Sequence, residues 1–260
     1  MQLEYDHYPA PPGVTAEPLI LLHGLFGAAI NWRYICQALQ PGREIYALDL
    51  RNHGRSPHAA SMTFPHMARD VFEFMAAKRL SSCDLLGHSL GGKVAMQAAL
   101  ERPEQFIRLI VADIAPKQYP PRHDDIFEAI DAVDRSTIGS RQQADELIKD
   151  ILPDQATRLF LLTNLRRDDA GKFSWRINMD AIRKNYSIIS GPPAVPGARY
   201  DKPALFIKGA RSPYIKDEDR AEIQRLFPRA ELRTIEQSGH WVHTEQPEEF
   251  LKIVREFLGK

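Results

Sequence analysis

Short apolar runs that alternate with longer amphipathic stretches constrain this chain more than any other feature of its sequence. Residues 18–22, 44–48, 83–86 and 106–112 are apolar-rich and bounded by turn signals, the pattern of strands buried on both faces. Between them, residues 30–39, 65–77 and 90–100 carry helical spacing. Strand, helix, strand in succession requires crossover connections, hence an α/β fold with a mostly parallel, doubly wound sheet. A chain of 260 residues with 43% hydrophobic content can bury one large core and still carry an insertion.

The rhythm breaks at Pro116. From there to about residue 200 the apolar spacing is helical, with Ile126, Phe127, Ile130 and Val133 on one stripe and Leu159, Phe160, Leu162 and Leu165 on another. Residues 168–172 read as a turn and 173–177 as a short strand. After Pro203 the alternation returns: a strand over 204–208, a helix over 216–227, a strand over 231–236 and an amphipathic helix over 247–258. The expected organisation is a core made of residues 1–116 and 201–260, with residues 117–200 inserted as a helical cap.

Composition excludes several classes of function. The 34 basic residues equal the 34 acidic ones, and a nucleic-acid binder needs a basic excess. Cys36 and Cys83 stand alone, outside any C-x-x-C or Cys/His cluster, and are expected to be buried apolar residues. The N-terminal residues have neither the charge nor the apolar stretch of a signal peptide, and no apolar run reaches the roughly 18 residues of a membrane span. A cytoplasmic protein without membrane insertion is the expectation; the sequence leaves the oligomeric state open.

The chemistry concentrates at residues 85–93, Leu-Leu-Gly-His-Ser-Leu-Gly-Gly-Lys, between an expected strand and an expected helix. There G-x-S-x-G makes a tight strand-to-helix turn that exposes the hydroxyl of its serine, Ser89, above a helix N-terminus. The same residues fit G-x-x-x-x-G-K, a phosphate loop. However, position 94 is Val, where such a loop needs a hydroxyl for magnesium. His23-Gly24-Leu25-Phe26-Gly27 follows the first strong strand, where acyl chemistry needs a second backbone donor. The Leu25 and Leu90 N–H groups are the expected oxyanion hole. His240, in Ser238-Gly239-His240-Trp241 after the last strand, is the expected general base. His23, His88 and His243 are read as packing residues, and no metal or organic cofactor is expected.

These motifs, together with Asp49-Leu50-Arg51-Asn52-His53-Gly54-Arg55-Ser56, Asp113-Ile114-Ala115-Pro116, the cap segment Arg122-His123-Asp124-Asp125-Ile126-Phe127 and Ser212-Pro213-Tyr214, resemble the α/β-hydrolase superfamily, and within it the bacterial YbfF-type esterases. Much of that superfamily places its acid in a Gly-x-x-Asp setting after the cap. This chain has Gly209-Ala210-Arg211-Ser212 there. Asp113 ends the neighbouring strand, about 4.8 Å away, and the resemblance implies that the acid is displaced to it. Asp217 is the rival, although a helix-dipole role accounts for it; Asp49 is read as structural.

The expected function is a serine hydrolase of carboxylic esters or thioesters, with Ser89 as nucleophile, His240 as base and Asp113 as acid. The resemblance implies short to medium acyl chains and extends to acyl-CoA; Arg166, Arg167, Lys172 and Arg176 are read either as meeting a CoA phosphate or, as the simpler reading, as a solvated charged face. Phe26, Phe127, Phe160, Phe173, Trp175 and Trp241 are expected either to line the acyl pocket or to form the cap core. The alternative to a hydrolase is a non-catalytic receptor for a small ligand on the same fold.

Overall fold

In the computed structural model, which describes residues 1–259, seven strands form one sheet in the order β1-β3-β2-β4-β5-β8-β9. They are β1 (Tyr5–Tyr8), β2 (Leu19–Leu22), β3 (Ile45–Leu48), β4 (Cys83–His88), β5 (Phe106–Ala112), β8 (Ala204–Gly209) and β9 (Ala230–Ile235). All pair in parallel except β1, which runs antiparallel to β3 at one edge. β1 escapes the apolar-run reading because an edge strand covered on one side tolerates a sequence such as Tyr-Asp-His-Tyr.

Alternation of side chains along each strand divides the core in two. Ile20, Leu22 and Leu48 pack with α2 (Phe64–Ala77) and α3 (Leu90–Glu101). On the other face, Leu19, Leu21, Ile45 and Ala47 meet α1 (Arg33–Leu39) and α10 (Pro247–Leu258). α8 (Arg220–Leu226) and the short α9 (Val242–Glu245) complete the core. The expected helix over 216–227 is divided, a 3-10 turn over Asp217–Asp219 preceding α8. No helix among the described residues is long and apolar enough to cross a membrane.

Between β5 and β8 the cap contributes α4 (Asp124–Asp134), α5 (Arg141–Ile148), α6 (Gln155–Leu162), the hairpin β6 (Leu165–Arg167) and β7 (Phe173–Trp175), and α7 (Met179–Ile189). Phe127, Ile130 and Val133 are buried along α4, but the second stripe differs from expectation. Leu161 and Leu162 turn inward, Leu159 is 54% exposed, and Leu165 belongs to β6. The cause is Arg158. Its buried guanidinium takes an inward position and is met by Asp145 at 2.7 Å and by the Leu152 and Pro153 carbonyls, which rotates the apolar face.

Polar bonds fasten the cap to the core. Asn185 Nδ2 donates to the Ala60 carbonyl and Asn178 N–H to the Asn52 carbonyl. The strongest convergence is on Lys93 of α3, which is 2% exposed. Its amine donates to the Lys117 carbonyl at 3.0 Å, where the chain enters the cap, and to the Ser190 (2.8 Å) and Gly191 carbonyls, where it leaves α7. One side chain thus ties both ends of the cap to the helix that begins at Ser89. Lys93→Met keeps the stem but strips three carbonyls of their donor, that of Gly191 buried and those of Lys117 and Ser190 part-buried, the buried one at about 1–3 kcal/mol and the others at less. Thermal denaturation and limited proteolysis should therefore show a lowered melting temperature and faster cleavage within residues 117–200; wild-type resistance would contradict the tether.

Candidate active site

Ser89 sits between β4 and α3 with φ +52° and ψ −116°, a region that a residue with a Cβ adopts only when the surroundings enforce it. The enforcement is close backbone approach. A Cβ on Gly87 would lie 2.2 Å from the Gly91 carbonyl oxygen, and one on Gly91 would lie 2.4 Å from that of Leu22. With both side chains absent, β4 turns directly into α3. The Ser89 N–H bonds the Ala112 carbonyl of the neighbouring strand at 3.0 Å.

From this turn a continuous hydrogen-bond chain runs across three strand ends. His240, in the loop after β9, places Nε2 3.0 Å from Ser89 Oγ and Nδ1 2.7 Å from Asp113 Oδ2. Nδ1–H donates to the carboxylate, which leaves Nε2 to accept from the Ser89 hydroxyl. Asp113 is fully buried just past β5 with φ +50°. Its Oδ1 accepts from the Gly209 N–H at 3.0 Å, and its Oδ2 also accepts from Ser212 Oγ. Ser212 therefore donates to the carboxylate that His240 Nδ1 contacts. Asp217 is remote from this chain, 86% exposed and paired with Arg220 at 3.4 Å.

Two contacts that sequence reasoning missed hold His240 in place. The Tyr214 ring stacks on it with centroids 3.9 Å apart, and His88 Nε2–H donates to its backbone carbonyl at 2.9 Å. Tyr214 was visible only as part of the Ser-Pro-Tyr segment, and nothing in its local sequence points to a histidine 26 residues away.

Opposite the hydroxyl lies the 23–27 turn. Neither the Leu25 nor the Leu90 N–H has a protein acceptor among the described residues, and both residues line cavities that reach Ser89. The turn is braced from three directions. The Leu50 N–H donates to His23 Nε2 at 3.0 Å, so His23 Nδ1–H donates to the Gly24 carbonyl at 2.8 Å. The Phe26 N–H donates to His53 Nε2 at 3.2 Å, and Asn164 of the cap donates to the Phe26 carbonyl at 2.7 Å. Asp49 accepts from the Ala29 N–H and from Arg55, in keeping with a structural part.

A cavity of about 290 Å³ opens on Ser89 and is lined by Phe26, Ile126, Phe160 and Trp241, among others. A smaller one, about 50 Å³, lies on the other side of Ser89. Phe127 and Trp175, expected as possible pocket residues, line neither. Phe127 packs edge-on against Phe26 and Tyr186 in the cap core, and Trp175 Nε1–H donates to Asp134 at 2.9 Å. The distinction is geometric: Phe160 is on the face of α6 turned towards Trp241, whereas Trp175 is on a hairpin beyond α4. Phe173 accompanies Trp175 there. Arg166, Arg167, Lys172 and Arg176 also line neither cavity, so nothing places them against a CoA phosphate. The phosphate-loop alternative fails for a similar reason, because the Lys93 amine is already committed to three carbonyls.

An α/β-hydrolase-fold family model matches residues 17–247, and the chain belongs to that family. It is 39% identical to a Xenopus laevis protein named sn-1-specific diacylglycerol lipase ABHD11, over 99% of this chain and 84% of that one. It is 36% identical to Esterase YbfF of Escherichia coli over 93% of each. Among solved structures, one described as a marine microorganism esterase superposes with a TM-score of 0.95 at 38% identity, covering 99% of both chains.

The imidazoles around the site are buried without carboxylate partners. Burial, the largest cause in each case, pushes His53 and His243 down to about 3 and lowers His23 and His88 as well. Each is neutral in the folded state but gains a proton on unfolding below about pH 6.5. Since the unfolded state binds more protons, stability is complete above that pH and is lost as pH falls towards 3. Between pH 7 and 5 His53 and His243, each held down to about 3, should each withdraw roughly 1–2 kcal/mol, and His23 and His88 act in the same direction. The melting temperature should therefore drop steeply over that interval; a value unchanged down to pH 4 would contradict four buried neutral histidines.

Proposed function

We propose that the chain cleaves carboxylic esters by way of an acyl-enzyme on Ser89. The carrying observation is the unbroken sequence of hydrogen bonds from Ser89 through His240 to Asp113. His240 Nε2 takes the hydroxyl proton as Oγ attacks the acyl carbon, and the buried carboxylate of Asp113 orients and stabilises the imidazolium that forms. The carbonyl oxygen, now an oxyanion, accepts from the Leu25 and Leu90 N–H groups, each such donor being worth about 10²–10³ in rate. His240 then returns its proton to the departing alcohol oxygen. A water, deprotonated by the same nitrogen, releases the acid and restores Ser89.

The names of the relatives, a diacylglycerol lipase and an esterase, support an ester as substrate. Phe26, Ile126, Phe160 and Trp241 supply an apolar wall for an alkyl acyl chain in the larger cavity. A fluorophosphonate probe, whose phosphorus accepts the activated serine, tests the reading. Peptide mapping should place the adduct on Ser89, and both the adduct and p-nitrophenyl ester hydrolysis should vanish in Ser89→Ala. An adduct on another serine, or undiminished turnover in Ser89→Ala, would overturn it.

A further inference from the structure

Among the described residues three line both cavities: Leu25, Ser89 and His123. The first two are accounted for as oxyanion donor and nucleophile. His123 is a cap residue at the head of α4, and with Leu25 and Ser89 it borders both cavities. Nothing in the proposed chemistry uses it.

Its surroundings fix what it offers. Tyr186 Oη lies 2.6 Å from His123 Nδ1 and also accepts the Arg122 N–H at 3.2 Å. Among the described residues that hydroxyl has no other acceptor, and we assign its proton to Nδ1 and the ring's own proton to Nε2. Among the described residues Nε2 has no hydrogen-bond partner, and His123 lines both cavities. Burial and the proximity of His240 lower the imidazole to about 4, which keeps it neutral near pH 7. The ring meets Phe26 edge-on at 5.6 Å, which limits its swing. The result is a neutral, oriented N–H donor on the dividing wall.

The two chambers differ in chemistry. The larger has the aromatic and aliphatic wall described above. The smaller is bordered by Tyr119, Tyr186, Ser190 and Lys93 and admits only a short group. We infer that His123 is a specificity-determining residue: its Nε2–H donates to a further oxygen on the alcohol half of the substrate, so that the acyl chain enters the larger cavity and the preferred esters are those of short, hydroxyl-bearing alcohols. This rests on the ester-hydrolase reading and adds the alcohol class and the orientation.

A matched pair of substrates tests it: glyceryl monobutyrate and propyl butyrate share the acyl group and the length of the alcohol, and differ in its hydroxyls. Wild type should favour the glyceryl ester in kcat/KM. His123→Phe keeps a ring and removes the donor; it should lower kcat/KM for the glyceryl ester roughly five- to tenfold, the scale of one neutral hydrogen bond, mainly through KM, and for propyl butyrate less than about twofold. His123→Asn, which retains a donor, should recover part of the preference. Tyr186→Phe, which frees the tautomer, should reduce it. Equal losses on both esters in His123→Phe and His123→Asn, or no preference in wild type, would overturn the inference. If Ser89→Ala still abolished propyl butyrate hydrolysis, the ester-hydrolase reading would survive that failure. Inactivity of wild type on both esters, with no adduct on Ser89, would remove both.

Discussion

Ser89 can present its hydroxyl because the backbone there is held at a φ of +52°, and the rest of the site depends on that constraint. A left-handed conformation at a non-glycine residue costs of order 1–3 kcal/mol, and the fold supplies it by letting α3 press against β4 and β2 where Gly87 and Gly91 have no side chains. The same turn sets Leu90 at the first position of α3, where its N–H has no helical partner. The presented Ser89 hydroxyl and the free Leu90 N–H are therefore two consequences of one backbone geometry. α3 is in turn anchored: of its residues only Glu101 is exposed, and Lys93 joins it to both ends of the cap.

A second left-handed residue, Asp113, lies at the end of the adjacent strand with φ +50°. The parallel register of β4 with β5, and of β5 with β8, places Ser89, Asp113 and the 209–214 segment side by side. Asp113 receives donors from each neighbour: the Gly209 N–H, the Ser212 hydroxyl and His240 Nδ1–H. A buried carboxylate needs that many partners to remain an acceptor. Ser212 is thus compatible with, and complementary to, an acid placed one strand over.

Much of this was legible in the sequence because it is local. Apolar runs marked the buried strands, G-x-S-x-G marked the turn at Ser89, and the change of period at Pro116 falls where α4 to α7 and the β6–β7 hairpin interrupt the sheet strands. Features that depend on distant parts of the chain were not legible. β1 is an edge strand whose apolar content is low because only one of its sides is covered. The second cap stripe was misread because Arg158, charged by its sequence, is buried by partners that the sequence does not reveal. Phe160 and Trp175 look alike as cap aromatics; only the packing of α6 against Trp241 puts one on the cavity and leaves the other on the far hairpin. His53 and Asn164 brace the 23–27 turn from 27 and 138 residues away from Phe26, and no local pattern announces either.

The assignment of Asp113 is the point at which geometry most departs from the superfamily's usual arrangement, and kcat for a simple ester measures it directly. Asp113→Asn preserves shape while removing the charge and allowing the imidazole its other tautomer, a change that costs around 10⁴ in the serine-protease example. The account predicts a fall in kcat of about 10² or more for Asp113→Asn, with Asp217→Asn within about twofold of wild type. Near-wild-type turnover in Asp113→Asn alongside a crippled Asp217→Asn would contradict it, and would mean that the carboxylate bonded to His240 is not the one that serves the reaction.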